Sequence, residues 1–68
     1  MSIKILLNGQ DKELETELTI QELLDSISYK GKMFVIEKNL NIVHKENYRS
    51  ETILNGDKVE IVSFVGGG

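Results

Sequence analysis

The 68-residue sequence predicts a small α+β domain, in which one main helix packs on one face of a mixed sheet of four to five strands. Three observations predict this class. Near both ends of the chain, apolar residues alternate with polar ones, as they do in half-buried strands. Between these segments the period changes to that of a helix, over about residues 20–28. A content of 40% apolar and 28% charged residues is typical of a globular domain.

The first two strands are predicted to form a hairpin with one buried and one solvated face. The inward residues of its first strand are Ile3, Ile5 and Leu7. Asn8-Gly9 marks the turn, and we expect Gln10 and Asp11 to lengthen it into a short loop. In the second strand an inward set alternates with three glutamates. The inward residues are Leu14, Thr16 and Leu18, and the glutamates are Glu13, Glu15 and Glu17.

The helix is predicted to begin directly after Thr19. Thr19 and Glu22 have the spacing of a capping box, in which each side chain accepts a hydrogen bond from the other residue's backbone N–H. The residues that follow at helical spacing form one apolar stripe, which comprises Ile20, Leu23, Leu24 and Ile27. The segment around Gly31 is expected to end the helix.

Two short strands, a polar loop and a final strand are predicted after the helix. The short strands, at residues 33–36 and 42–43, flank a turn at residues 39–41. The polar loop at residues 44–52 is expected to contain one helical turn around Tyr48, and the final strand occupies residues 58–65. If that strand returns beside the first one, it completes the cover over the helix. The resulting ββαββ order indicates a β-grasp, or ubiquitin-like, arrangement.

The final strand runs directly into Gly66, Gly67 and Gly68. Without Cβ atoms, a segment of this kind is flexible and can enter a narrow cleft, and three extended residues reach roughly 10 Å. We therefore divide the chain into a β-grasp domain at residues 1–65 and a flexible glycine tail at residues 66–68. We expect the tail to be the functional part. The alternative is a frayed terminus without a role.

Strand parity predicts an apolar patch on the sheet face that points away from the helix. If Val59 and Ile61 face the helix, then Val62 and Phe64 face away from it, as does Leu6 on the first strand. We interpret Leu6, Val62 and Phe64 as a partner-binding patch beside the root of the tail. The alternative is three scattered surface residues.

Composition and charge argue against several functions. A formal net charge of −3 without a basic stripe disfavours nucleic-acid binding. There is no cysteine, and no other metal-ligand residues accompany the single histidine, His44, in a recognisable spacing. No metal site is therefore predicted. No apolar run is long enough to cross a membrane and no signal peptide is evident, so we expect a cytoplasmic protein. We also expect the free protein to be a monomer. No glycine-rich phosphate loop follows a strand, so no nucleotide site is expected on the chain.

Residues 55–68 closely resemble the C-terminus of the ThiS family, the sulfur carriers of bacterial thiamin biosynthesis. Leu7-Asn8-Gly9 is similar to the family's first hairpin, and Thr19-Ile20-Gln21-Glu22-Leu23-Leu24 is similar to its helix start. Residues 39–48 lie where the family usually has Asn-Gly-x-Ile-Val-Pro-Arg-x-x-Tyr. Three residues depart from this pattern, namely Leu40, His44 and Lys45.

The resemblance implies chemistry at the carboxylate of Gly68. In such carriers a ThiF-like adenylyltransferase holds ATP and magnesium, and the tail, here Gly66 and Gly67, threads into its active site. The terminal carboxylate is adenylated, and sulfur from a donor such as a cysteine desulfurase displaces AMP. The resulting thiocarboxylate supplies sulfur to a ThiG-like thiazole synthase. The chain would then be a substrate of enzymes, without a bound cofactor of its own.

Three alternatives remain open. A carrier for molybdopterin synthase would share the fold and the diglycine end. A ubiquitin-like modifier would be joined through Gly68 to lysines of other proteins. A plain interaction module would have an idle tail, and deletion of Gly67 and Gly68 would leave its function intact.

Overall fold

A computed structural model describes residues 2–64 of the chain. The elements, in chain order, are β1 (Ile3–Leu7), β2 (Gln10–Leu14), β3 (Leu18–Thr19), α1 (Ile20–Ser26), β4 (Phe34–Lys38), β5 (Asn41–Val43), a 3₁₀ turn (Lys45–Asn47), β6 (Thr52–Ile53) and β7 (Lys58–Ser63). The predicted glycine tail, Gly66 to Gly68, lies outside the described residues, and so does the boundary predicted at residue 65.

Within residues 2–64, five strands form the main sheet, in the order β2-β1-β7-β4-β5. The sheet is mixed, because β1 and β7 pair in parallel whereas its other neighbouring strands are antiparallel. The last strand thus returns to the centre of the sheet, beside the first. With α1 packed on one face, this is the β-grasp arrangement that the sequence predicts.

The core lies between α1 and the sheet. From the helix it receives Ile20, Leu23 and Leu24, all nearly inaccessible to solvent. The other buried apolar residues are Ile3, Ile5, Leu14, Ile36, Val43, Tyr48, Ile53 and Val59. Tyr48 is the one aromatic residue of this set, with 7% of its surface accessible.

The first hairpin differs from the prediction at both ends of its second strand. Leu7 pairs with Gln10, so the turn contains only Asn8 and Gly9, both with positive φ. The strand then ends at Leu14, and Thr16, predicted to face inward, is exposed in a bend. The chain bends there because Leu18 pairs with Ile53 in a separate two-stranded sheet.

The helix begins as predicted and ends two residues early. Both hydrogen bonds of the capping box are present, with Glu22 N–H donating to Thr19 Oγ1 (3.1 Å) and Thr19 N–H donating to Glu22 Oε1 (2.9 Å). At the other end, Ser26 Oγ donates to the carbonyl of Leu23 (2.8 Å). Ile27 caps the helix, and Ser28 has a φ of +53°, which turns the chain out of the helical path.

Within residues 2–64, no helix is long and apolar enough to cross a membrane. In the same range, no group of three or more His, Cys, Asp or Glu side chains is arranged to hold a metal ion. The expected cytoplasmic location stays a prediction.

Candidate functional site

The structure leads the chain toward its glycine tail along the central strand of the sheet. On one side β7 pairs with β4 as far as Phe34 and Ser63. Directly beyond that pair, the backbone N–H of Phe64 donates to the carbonyl of Met33 (3.0 Å). The segment that precedes Gly66 is therefore held in the sheet up to Phe64. The site residues Gly66, Gly67 and Gly68 themselves lie outside the described residues.

On its other side β7 meets the turn of the first hairpin. The backbone N–H of Asn8 donates to the carbonyl of Val59 (2.9 Å). The backbone N–H of Ile61 donates to Oδ1 of Asn8 (2.7 Å), which joins residues 53 positions apart in sequence. The sequence shows Asn8 as a turn residue, and nothing in its local pattern indicates this second contact.

Three aromatic rings lie under the end of β7, on the helix face of the sheet. The rings of Tyr29 and Phe34 meet edge to face with centroids 4.9 Å apart, and the rings of Phe34 and Tyr48 stack at 6.3 Å. Burial raises the pKa of the Tyr48 hydroxyl above its usual value. Because Phe34 pairs with Ser63, these rings support the strand where it approaches the tail.

The opposite face of the sheet carries an apolar cluster at the same end. Val62 and Phe64 are exposed there, by 41% and 54%. Val35 lies directly opposite Val62, and Met33 is bonded through its carbonyl to Phe64. We call Met33, Val35, Val62 and Phe64 the apolar quartet. The sequence predicted two of its members and missed Met33 and Val35, because their place depends on the register of β4 against β7.

Leu6, the third residue of the predicted patch, is not part of the quartet. Its partner in β7 is Lys58, which lies four residues before Val62. At about 3.3 Å per residue, this separates Leu6 from Val62 by roughly 13 Å along the strand. Parity alone placed Leu6 on the correct face but could not give its position along the neighbouring strand.

A pair of glutamates borders the apolar quartet. Glu37 and Glu60 lie directly opposite each other on the outer face, two residues along their strands from Val35 and Val62. Both are half-buried, and neither forms an ion pair with a residue in the range 2–64. Like charges in this arrangement repel. The outer face thus combines exposed apolar surface with uncompensated negative charge.

Elsewhere on this face the charges are balanced. Lys4 lies opposite Glu13, and Leu6 lies between Asp11 on one neighbouring strand and Lys58 on the other. The excess negative charge is therefore concentrated at Glu37 and Glu60, next to the quartet.

A polar network fixes the other end of β7, far from the tail. Lys38 Nζ contacts Glu51 Oε2 (2.7 Å) and Asp57 Oδ2 (3.6 Å). Asp57 also accepts from the backbone N–H of Leu54 (2.8 Å) and from the side-chain amide of Asn39 (3.0 Å). These contacts tie the β4–β5 hairpin to the turn that starts β7.

The same contacts shift two pKa values. The hydrogen bond to Glu51 raises the pKa of Lys38 above 10.5, although burial opposes it. Burial would raise the pKa of Asp57, but its bonds to Leu54, Asn39 and Lys38 outweigh burial and lower it below 3.8. Both groups are thereby held in their charged forms, as expected of a structural network.

The segment that departs from the family pattern keeps a defined geometry. Asn39 and Leu40 form a two-residue turn, with φ of +53° and +70°. Leucine thus occupies a left-handed position that favours glycine. His44, which stands where the family usually has proline, has a φ of −76°, within the range that proline imposes. Lys45 begins the 3₁₀ turn that leads to Tyr48.

Together the fold and the site define a ubiquitin-like β-grasp domain whose central strand leads to a glycine terminus. Comparison with known sequences makes the assignment specific. The profile of the ThiS family matches residues 5–68. The sulfur carrier protein ThiS of Bacillus subtilis is 41% identical over 63 residues, which cover 91% of this chain and 96% of that protein. The chain belongs to the ThiS family of sulfur carrier proteins.

Two further comparisons extend this result. The crystal structure of the thiamine biosynthesis protein ThiS from Geobacter metallireducens superposes with a TM-score of 0.85 at 26% identity, covering 97% of this chain and all of that one. A thiazole synthase of Paramagnetospirillum magneticum is 35% identical over 66 residues. That match covers 97% of this chain but only 20% of the synthase.

Proposed function

We propose that this chain carries sulfur on its terminal carboxyl group for thiazole formation in thiamin biosynthesis. In the first step the Gly68 carboxylate attacks the α-phosphate of ATP, and pyrophosphate leaves. A persulfide on the sulfur donor then attacks the acyl carbon and displaces AMP, and a thiol cleaves the S–S bond of the resulting acyl disulfide, which leaves a thiocarboxylate and a new disulfide on the thiol and donor. The observation that carries this proposal is the family match through residue 68, on a chain whose central strand is the last element before the three glycines in sequence.

The chemistry calls for an activating partner. A free carboxylate is a poor electrophile, and adenylation supplies the leaving group that it lacks. Side chains at residues 67 and 68 would obstruct an enzyme that must approach the final carbonyl from several sides, and glycine removes them. The chain has no cysteine on which sulfur could travel instead. We assign ATP and magnesium to a ThiF-like partner and treat this chain as its substrate, not as an enzyme.

We also propose a ThiG-like thiazole synthase as the recipient of the sulfur. Support comes from two thiazole synthases, of Paramagnetospirillum magneticum and Magnetococcus marinus, which contain a segment similar to nearly the whole of this chain. In each of them the match covers 20% of the protein. A carrier domain within the same chain as a synthase is consistent with transfer between the two. A cysteine desulfurase is the proposed source of the sulfur.

The outer face of the sheet is the surface that we propose for docking these partners. A protein that receives Gly68 must lie against the end of β7, where Met33, Val62 and Phe64 of the apolar quartet are exposed. The quartet offers apolar contact, and Glu37 and Glu60 favour a partner surface that carries lysine or arginine. Leu6, roughly 13 Å away at about 3.3 Å per residue, belongs to this surface only if the partner's footprint extends along β7 to Lys58.

Intact-mass spectrometry tests the proposed function. The purified chain is incubated with ATP, magnesium, a ThiF-like enzyme and a sulfur donor. We expect the replacement of one oxygen by sulfur in the C-terminal fragment. A chain without Gly67 and Gly68 is the matched control and should keep its mass.

Other outcomes identify the alternatives. An unchanged mass of the full chain with an active partner would refute the proposal. Isopeptide conjugates to lysines in a lysate would indicate a protein modifier. A thiocarboxylated chain that supplies molybdopterin synthase but not thiazole synthase would indicate the other carrier class.

A further inference from the structure

Asn8 contacts β7 at a point where β1 has already ended. The register of β1 with β7 stops at Leu7 and Val59, yet Asn8 is bonded to both Val59 and Ile61. In a regular parallel pair, a residue of one strand donates its N–H to a carbonyl of the neighbouring strand. Its own main-chain carbonyl accepts from the N–H of the residue two positions further along that neighbouring strand. Asn8 makes both of these bonds with β7, but in the bond from Ile61 the acceptor is its side-chain Oδ1 and not its main-chain carbonyl.

The substitution of side chain for main chain follows from the turn. Asn8 has a φ of +52° and has begun the reversal toward β2. Its side-chain carbonyl extends the ladder by one bond while the backbone turns away. Asparagine suits both tasks, since it tolerates the left-handed conformation and carries an acceptor close to the main chain. A turn alone would be equally well served by glycine.

The bond holds β7 on the side where it has least support. Toward β4, the strand is paired at Ile61 and onward to Ser63. Toward β1, among residues 2–64, the register pairs end at Val59, and the bond from Ile61 to Asn8 lies beyond them. Ile61 is therefore fixed from both sides, and it is the last residue of β7 for which both contacts are described.

We propose that Asn8 is a positioning residue, whose side-chain oxygen fixes β7 at Ile61 and thereby sets where and in which direction the chain leaves the sheet toward Gly68. This inference rests on the proposed function, in which Gly68 must reach an active site on another protein. Asn8 itself takes no part in the chemistry. It restricts the strand before binding, so that less of the chain has to be ordered when the partner engages the tail.

Two variants separate this role from that of a turn residue. Asn8→Gly accepts the positive φ without steric strain but lacks the acceptor oxygen. Asn8→Asp keeps an acceptor oxygen and also tolerates the left-handed region. The first measurement uses the isolated chain and follows amide hydrogen exchange by NMR, with the amide of Leu24 in α1 as the internal reference. We expect Ile61 to exchange about 5- to 10-fold faster in Asn8→Gly, the equivalent of one net hydrogen bond, and to stay near wild type in Asn8→Asp.

The second measurement is the steady-state rate of adenylation by a ThiF-like enzyme. If the loosened strand is ordered on binding, Asn8→Gly should raise KM about fivefold and change kcat less than about twofold, and Asn8→Asp should restore the wild-type KM. Asn8→Gly with wild-type KM, or with unchanged exchange at Ile61, overturns the inference. If the wild-type chain itself is not adenylated, the proposed function fails, and the exchange of Ile61 alone decides whether Asn8 anchors the strand.

Discussion

Replacement of Leu40 by glycine should stabilise the domain. Leu40 is the second residue of the β4–β5 turn, at φ +70°, and 76% of its surface is exposed. The left-handed conformation costs a residue with a Cβ about 1–2 kcal/mol. Glycine also has more conformational freedom in the unfolded chain, which offsets about 0.4–1 kcal/mol of the stabilisation gained by removing this strain. Because so exposed a side chain has little packing to lose, we expect a net gain of about 0.5–1 kcal/mol.

Urea and thermal unfolding measure this gain. In a domain of this size, 1 kcal/mol shifts Tm by roughly 4–8 °C, so Leu40→Gly should raise Tm by roughly 2–8 °C. The urea midpoint should rise while the dependence of the unfolding free energy on urea stays the same, since the surface exposed on unfolding changes little.

The neighbouring residue provides a matched control. Asn39 also has positive φ, +53°, but its side chain donates to Asp57 Oδ1 (3.0 Å) and accepts from the backbone N–H of Lys58 (2.9 Å). Asn39→Gly should therefore destabilise the domain by about 1–2 kcal/mol, since each lost bond is worth about 0.5–1.5 kcal/mol. Equal effects of the two glycine substitutions, or a Leu40→Gly domain no more stable than wild type, would refute the strain argument.

Two further predictions concern charged side chains. The pKa of Asp57 is lower in the folded chain than the ordinary 3.8, so its contribution to stability is present above that value and is lost as the pH falls through the folded pKa. The unfolding free energy of Asp57→Asn should fall less than that of wild type on acidification below about pH 4, and identical acid profiles would contradict this. Glu60→Lys should stabilise the isolated domain by about 0.2–1 kcal/mol, because it replaces the repulsion with Glu37 by attraction. The same variant should raise the KM of adenylation. An unchanged KM would show that Glu60 is not part of the docking surface.

The sequence predicted those features that depend on neighbours along the chain. The capping box of Thr19 and Glu22 is a local pattern, and it fixed the helix start to the residue. The end of the helix was placed too late because the apolar stripe continues to Ile27. The helix ends earlier, where Ser26 Oγ donates to the carbonyl of Leu23 and Ser28 adopts a positive φ. Neither feature alters the spacing of the apolar residues, so the sequence pattern does not show it.

Features that depend on pairing between distant strands could not be predicted in the same way. Parity gave Leu6, Val62 and Phe64 the correct face, but only the register separates Leu6 from the other two and adds Met33 and Val35. The bond from Ile61 to Asn8 could not be predicted for the same reason. An Asn-Gly pair indicates a turn, and nothing in the sequence around it indicates a contact with the last strand. The family resemblance supplied what local pattern could not, namely the chemistry expected at Gly68.

The central position of β7 has a consequence for biosynthesis. Residues 58–63 form the middle of the sheet and lie between β1 and β4. Until the ribosome has released them, the nascent chain lacks the strand that joins its two halves, and Val59 is missing from its core. Pairing over such long sequence separations also slows folding. A shortened translation product that ends before this strand would therefore lack both the centre of the sheet and part of the core, and we expect it not to fold.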